Sequence, residues 1–520
     1  MKQSISLLTF ALLSLNLWAQ HSNVMISEGI GLSEPSIFVD PNNTDRIVAG
    51  AIIDKYYYSE DGGQNWNSGA LSSPYGVWGD PVVIVDSYGD YYYMHLSNPG
   101  SSGSWIDRIV CQKSSDGGVT WTEGNYMGLN GTKAQDKHWA VVDYTNNNIY
   151  VTWTQFDSYG SGSASDYSNI HFSKSMDNGE SWSEALQINE VSGDCLDEGN
   201  TTEGAVPAVG PNGEVYVSWA GPEGIVFDKS LDEGETWLDQ DIFVSDIPGP
   251  GWAFDIPGIS RCNGLPITCC NLSDTEYNGD VYINWSDQRH GADDTDVWFI
   301  KSTDSGETWG ERMRVNDDPA GNQQFFTWMT VDQVTGYIWF VYYDRRNYED
   351  NNTDVFMAVS TDGGENFTNF KISESPFLPY SSTFFGDYNN ISAHNNVIRP
   401  IWTRLEGSYP KIMTALVNEQ VIGEEELENI PFSLQQNSPN PFDESTYISF
   451  KLRSAKKVSL IVYDMYSRPA AILVNDELMS PGKYTYHLNA HEYHLSSGFY
   501  YFSLVSGNHK IQKKMLLLKQ

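Results

Sequence analysis

Several short segments bring together the residue types that handle sugars. Trp285-Ser286-Asp287-Gln288-Arg289 runs on to Thr295-Asp296-Val297, and Tyr343-Asp344-Arg345-Arg346 runs on to Thr353-Asp354-Val355. Asp54, Asp157 and Arg404 stand at comparable ends of apolar runs. Further candidates are Trp78-Gly79-Asp80, Asp136-Lys137-His138-Trp139, Glu203 and Gly386-Asp387-Tyr388. A guanidinium grips a carboxylate in bidentate fashion, and Trp or Tyr offers a flat face to a sugar ring. Such a set suits an acidic sugar, with Trp78, Asp80, His138, Trp139, Asp287, Arg289, Asp344, Arg345 and Arg404 as candidate binding residues. Each Asp beside an Arg also reads as a structural ion pair of small energetic worth. His138 reads either as a general base or as a buried structural histidine. Asp293, Asp294 and Asp296 offer oxygens to calcium but lack the glycine and distal glutamate of an EF-hand loop, so a solvated acidic loop is the alternative. Cys269-Cys270 has no second Cys/His pair at zinc spacing, and no metal site is expected. The chain holds no nucleophile elbow, phosphate loop or zinc-protease helix.

The elements that must position these residues are set by a repeat. Ser59-Glu60-Asp61-Gly62-Gly63-Gln64-Asn65-Trp66 returns with its Asp at Asp116, Asp177, Asp232, Asp304 and Asp362, each time as Ser-x-Asp-x-Gly-x-(Asn/Thr/Ser)-(Trp/Phe). Asp can accept from backbone N–H groups inside a tight turn, Gly supplies positive φ, and the aromatic can pack between sheets. Short alternating strands precede the turns, as in Glu214-Val215-Tyr216-Val217-Ser218-Trp219 and Asp280-Val281-Tyr282-Ile283-Asn284-Trp285.

The repeat resembles the Asp box of the sialidase superfamily over roughly residues 24–418. The resemblance implies an all-β, six-bladed β-propeller, one blade per box, with each box joining the third and fourth strands. The active site would then lie on the opposite face, among the second-to-third loops and the links between blades. Carried over, it implies Asp54 as acid/base, Tyr388 as nucleophile, Glu203 as its partner, and Arg289 and Arg345 as substrate arginines. One departure is plain: the family's first-strand Arg-Ile-Pro is replaced by Leu32-Ser33-Glu34-Pro35-Ser36-Ile37.

Composition sets the compartment. The chain has 520 residues and 30 Lys+Arg against 68 Asp+Glu, a net charge of −38, which excludes a nucleic-acid binder. With 13% aromatic residues it is no disordered coil. Lys2, the apolar run Leu7–Leu13 and Ala19 read as a signal peptide over 1–19, and no segment is long enough to span a bilayer. Five cysteines allow one or two bridges and leave a thiol over. After the propeller at 20–418 comes an acidic linker, 419–433. Residues 434–520 read as a small β-sandwich: Leu434-Gln435-Gln436-Asn437-Ser438-Pro439-Asn440-Pro441-Phe442, Val458–Asp464, Ser497–Phe502 and a basic-apolar last strand. This region resembles the C-terminal sorting domain of the type IX secretion system of Bacteroidetes. That implies the export machinery as a partner and a secreted or outer-surface location. The expected function is a sialidase-like propeller acting on a glycan or glycoprotein, with no cofactor beyond a structural calcium. The alternatives are a non-catalytic binding propeller and a polysaccharide lyase using His138 and a tyrosine.

Overall fold

Each repeat unit folds as four antiparallel strands in sequence order, and the fourth blade is representative. Its strands are Glu203–Val209, Val215–Gly221, Gly224–Ser230 and Ile242–Ser245. Alternation along the second strand drives this arrangement. Trp219, like Trp153 and Trp285 at the same place in blades 3 and 5, is fully buried in the layer between blades. The computed structural model describes residues 21–249, 251–407, 409–418, 432–452, 455–464, 468–506 and 509–519. The expected signal peptide, and residues 419–431 of the linker, lie outside them.

The all-β propeller is as expected, but the blade count is not. Seven such sheets stand among the described residues, where six boxes predicted six. The innermost strand of each touches that of the next, from Ser36–Val39 round to Asn390–His394 and back, closing a ring. The seventh blade orders its strands as Asn390–His394, Val397–Glu406, Tyr409–Ala415 and then Asn23–Glu28, taken from the other end of the chain. A box joins third and fourth strands. Here those strands are not consecutive, so no turn exists to carry one.

The six box turns share one hydrogen-bond pattern. In blade 4, Asp232 Oδ1 accepts from Thr236 N at 2.8 Å and from Ser230 Oγ at 2.7 Å, while Thr236 Oγ1 donates to Oδ2 at 2.6 Å. Gly234 has φ 82°, and a Cβ there would lie 2.3 Å from Phe172 of blade 3, so glycine lets the turn press onto the preceding blade. Trp237 follows, edge-on to Phe172 at 5.0 Å. All five cysteines are free, so the bridges that their number allowed are not formed.

The chain divides after Asn418 into two compact units. In the second, a three-stranded sheet (Phe432–Leu434, Ser445–Leu452, Gly482–Asn489) and a four-stranded sheet share one apolar core containing Ile448, Phe450, Leu460 and Phe502. It is a β-sandwich.

Candidate functional site

The innermost strands begin on the face opposite the boxes, and a repeated distortion there aims side chains at the channel. Register slips between Asp136 and Trp139, between Glu203 and Val206, and between Phe325 and Trp328. Within these bulges Lys137, Gly204 and Phe326 have φ of 48°, 80° and 48°, and Glu34 and Asp80, just ahead of their strands, have 52° and 51°. Positive φ is costly for such residues and bulges re-aim side chains, so its recurrence at one level marks a site rather than a packing accident. Gly386, φ 94°, lets the last link approach: a Cβ there would meet the Glu34 nitrogen at 2.9 Å.

The result is a buried cluster around Lys137. Its Nζ lies 2.8 Å from Asp387 Oδ2 and 3.5 Å from Asp80 Oδ2. Arg261, on the hairpin Ala253–Phe254/Cys262–Asn263 between blades 4 and 5, donates from Nε to Asp387 Oδ1 at 2.7 Å and from Nη2 to Oδ2. Its Nη1 reaches Asp197 Oδ2 at 3.3 Å, and Tyr159 donates to the same oxygen at 2.6 Å. Asn263 Nδ2 holds the Asp387 carbonyl at 2.9 Å. Beside it lies a narrow pocket of about 30 Å³, lined by Trp139, Trp328, Tyr388 and Lys137. Trp139 packs on Trp328 at 4.2 Å and on Tyr388 at 5.1 Å.

Burial and charge split the carboxyls into two kinds. Burial, with Asp80 and Asp387 nearby, raises Glu34 well above the usual range. Burial, with Asp80 and Asp197 nearby, pushes Asp136 up to about 8. Glu203 is raised well up by burial and by the nearby Asp197 carboxylate, and neither of its oxygens has a hydrogen-bond partner among the described residues. Against burial, Lys137 and Arg261 hold Asp387 down to about 2, and Lys137 keeps Asp80 low. Asp80 also faces the carboxyls of Glu34 and Asp136 at hydrogen-bond range. Neutral acids therefore stand beside ionised carboxylates, the division of labour that acid–base chemistry requires.

Of the sequence-derived candidates, Asp80, His138, Trp139, Glu203 and Tyr388 converge here. Tyr388 feels Asp80, Glu34 and Lys137 rather than Glu203, and burial beside those carboxylates raises its hydroxyl well up, away from a phenolate. His138 is buried and pushed down to about 4, hence neutral. Trp78 sits on the rim of this face, 39% exposed.

The remaining candidates are not brought in. Asp54 is ion-paired with Lys55 at 2.8 Å on the β-turn of blade 1. Arg289 is committed to Asp287, Nε–Oδ1 2.8 Å, and stacks on Trp298 at 4.8 Å. Asp344 pairs with Arg346 at 2.8 Å, not with its neighbour Arg345. Arg345 is buried over Phe325 and donates to Thr353 Oγ1 at 3.1 Å. Arg404 holds the Ser375 carbonyl at 2.6 Å. Arg289 and Arg345, the two substrate arginines that the resemblance implied, and the further candidate Arg404 are thus each held by local partners. In the acidic loop, His290, Asp294 and Asp296 bring ligand atoms within 4.8 Å of one another, with His290 taking the place expected of Asp293. Sequence reasoning passed over Glu34, Asp197 and Arg261, and it named Asp136, Lys137 and Asp387 within candidate segments without giving them a role. The one available signal was that Glu34, Asp80, Lys137 and Asp387 each precede or open an innermost strand.

Comparison with known proteins identifies the second unit. Residues 438–518 match the family described as Secretion system C-terminal sorting domain. The tail is a secretion sorting domain. It marks the protein as exported, secreted or held at the outer surface, through the type IX machinery. No helix among the described residues is long and apolar enough to cross a membrane. No curated protein matches the chain. Among solved structures it is similar to an ulvan lyase of polysaccharide lyase family PL25 (13% identity, 76% of this chain and 96% of that one, TM-score 0.47). It is also similar to the NanB sialidase of Streptococcus pneumoniae (10%, 72% and 84%, TM-score 0.44). A third is the α-L-arabinanase of Penicillium chrysogenum (16%, 65% and 97%, TM-score 0.40).

Proposed function

We propose that this is an exported glycoside hydrolase acting on neutral glycans. The observation that carries the proposal is the convergence of Glu34, Asp80, Asp136, Glu203 and Asp387 around Lys137 at one end of the channel. Glycoside hydrolysis needs a protonated carboxyl to give its proton to the leaving oxygen and an ionised one to activate water or attack the anomeric carbon. Glu203, fully buried beside the partly exposed Asp197, is the proton donor. Asp80, accepting from Glu34 and Asp136, is the carboxylate. Lys137 fixes the charge balance so that Asp80 and Asp387 stay ionised while the others stay neutral.

Neutral sugars fit better than acidic ones. The cations recorded at the mouth, Lys137 and Arg261, are already committed to Asp80, Asp387 and Asp197, so a sugar carboxylate would meet net negative charge.

The test is release of reducing ends by the full-length secreted protein from soluble neutral polysaccharides, with sialic acid release from a sialoglycoprotein as the contrasting arm. Release from the neutral set, reduced at least about 10²-fold in Glu203→Gln and Asp80→Asn, supports the reading. Sialic acid release would overturn the neutral-sugar assignment. Products absorbing in the ultraviolet would replace hydrolysis with lyase chemistry, and binding without turnover would make the propeller a recognition module.

A further inference from the structure

Three loops on the site's face, one of them the link that also carries Asp80, bring aromatic rings into a continuous line. Trp78 comes from the link between blades 1 and 2, Trp105 from the loop after Tyr91–Leu96, and Tyr159 from the loop after Ile149–Phe156. Trp78 meets Trp105 edge-on with centroids 6.0 Å apart, and Trp105 meets Tyr159 edge-on at 5.5 Å. The indoles are 39% and 43% exposed. Each indole is more than half buried yet leaves a large apolar area in water, which core packing does not account for.

The line has a definite end. Tyr159 donates to Asp197 Oδ2 at 2.6 Å, Asp197 accepts from Arg261 at 3.3 Å, and Arg261 grips Asp387 in the cluster. On the far side of Arg261, Phe384 lies under the guanidinium at 5.2 Å. The aromatic path therefore runs from open solvent to the neighbourhood of Glu203 and Asp197 without a break.

We infer that Trp78, Trp105 and Tyr159 form a platform that holds an extended run of neutral sugar residues and feeds one end of it to the carboxyl cluster. The inference rests on the glycan reading above and deepens it: the substrate is a polymer, and the enzyme grips it several residues away from the bond it cuts. The sugar C–H faces stack on the rings, and the hydroxyl groups stay in water. Tyr159 is a positioning residue for Asp197 as well as a surface for the chain, since its hydroxyl is fixed by that carboxylate.

The experiment is affinity gel electrophoresis of the full-length protein in gels containing arabinan, xylan, galactomannan or laminarin, with polygalacturonate as the acidic contrast. Retardation by at least one neutral polymer is expected. Trp78→Ala and Trp105→Ala should each weaken it about tenfold, the equivalent of ~1.4 kcal/mol, while melting like the parent. Tyr88→Ala serves as the control. It removes a ring that is 75% exposed in the turn between the first two strands of blade 2, on the box face, and should change nothing. Absence of retardation in every neutral gel, retardation by polygalacturonate alone, or parent-like binding by both tryptophan variants would overturn the platform. Glu203→Gln separates this from the hydrolase reading. If that variant and the parent bind alike and neither releases reducing ends, the hydrolase is wrong and the platform stands. If reducing ends are released while the tryptophan variants bind and cleave like the parent, the reverse holds.

Discussion

Replacing Lys137 with methionine tests whether the cluster is held together by its buried cation. The ammonium lies 2.8 Å from Asp387 and 3.5 Å from Asp80, and it also moderates the raised carboxyls of Glu34 and Glu203. Breaking a buried ion pair by removing one partner typically costs about 3–5 kcal/mol, because the remaining charge is left uncompensated. An independent route gives a similar size. Holding Asp387 at about 2 rather than 3.8 corresponds to ~2.5 kcal/mol, shared here between Lys137 and Arg261. A loss of about 3 kcal/mol is expected at pH 7. With an unfolding entropy of about 2.1 cal/mol/K per residue over roughly 400 residues, the propeller's Tm should fall by ~4 °C. The sign of the pH dependence follows from Asp387, whose pKa is depressed in the folded state. Its contribution is present above about 3.8 and is lost as the pH falls towards 2. Because that contribution fades on acidification while the variant never had it in full, the gap between parent and variant should narrow between pH 7 and pH 3. Calorimetric melts at the two pH values are the assay. A Tm within 1 °C of the parent at pH 7, or a gap that does not shrink on acidification, would refute the account of Lys137 as clamp.

Four more expectations rest on other parts of the molecule. Asp232→Ala, which removes the acceptor for Thr236 and Ser230 in one box turn, should lower stability by about 1–2 kcal/mol in a chemical denaturation and leave glycan binding intact. Activity should decline as the pH rises through about 8, where Asp136 ionises and adds a second charge against Asp80; a flat profile to pH 10 would contradict the shared proton. Gly386→Ala, with φ 94° and a Cβ 2.9 Å from the Glu34 nitrogen, should cost about 1–3 kcal/mol and impair turnover together with stability, read by melting and kcat. Asp294 is buried with Oδ1 unpartnered beside His290 and Asp296, so millimolar calcium should raise the parent's Tm and leave Asp294→Asn unmoved; equal shifts in both would exclude cation binding there.

Much of the architecture could be read from residues alone because the repeat writes it out. Asp61 to Asp362 mark six turns, and Trp153, Trp219 and Trp285 mark the strands beside them. The seventh blade could not be counted that way, since its outer strand, Asn23–Glu28, is joined to Tyr409–Ala415 through space and not through a turn. The face of the site also followed from strand order. Which side chains meet there did not. Glu34, Asp80 and Lys137 enter the cluster through backbone conformations that their types disfavour, and no local pattern announces positive φ at Glu34 or Lys137. Motif carry-over misled where it relied on arginines. Arg289 sits two residues from Asp287, and a guanidinium so close to a carboxylate is satisfied before any ligand arrives.

The pairing of Asn23–Glu28 with Tyr409–Ala415 also fixes the order of events in the life of the chain. Asn23–Glu28 has no partner until nearly four hundred further residues have left the ribosome after it. The ring therefore cannot be a folded object during synthesis, and the unfinished blade carries an open strand edge prone to pairing with other chains. For an exported protein that is an asset, because a chain that cannot close early stays threadable. It also sets where cuts are tolerated. Processing after Asn418 leaves every closing strand in place, whereas loss of even one strand's length from either end of 23–418 would unlatch a blade and expose the channel from the side.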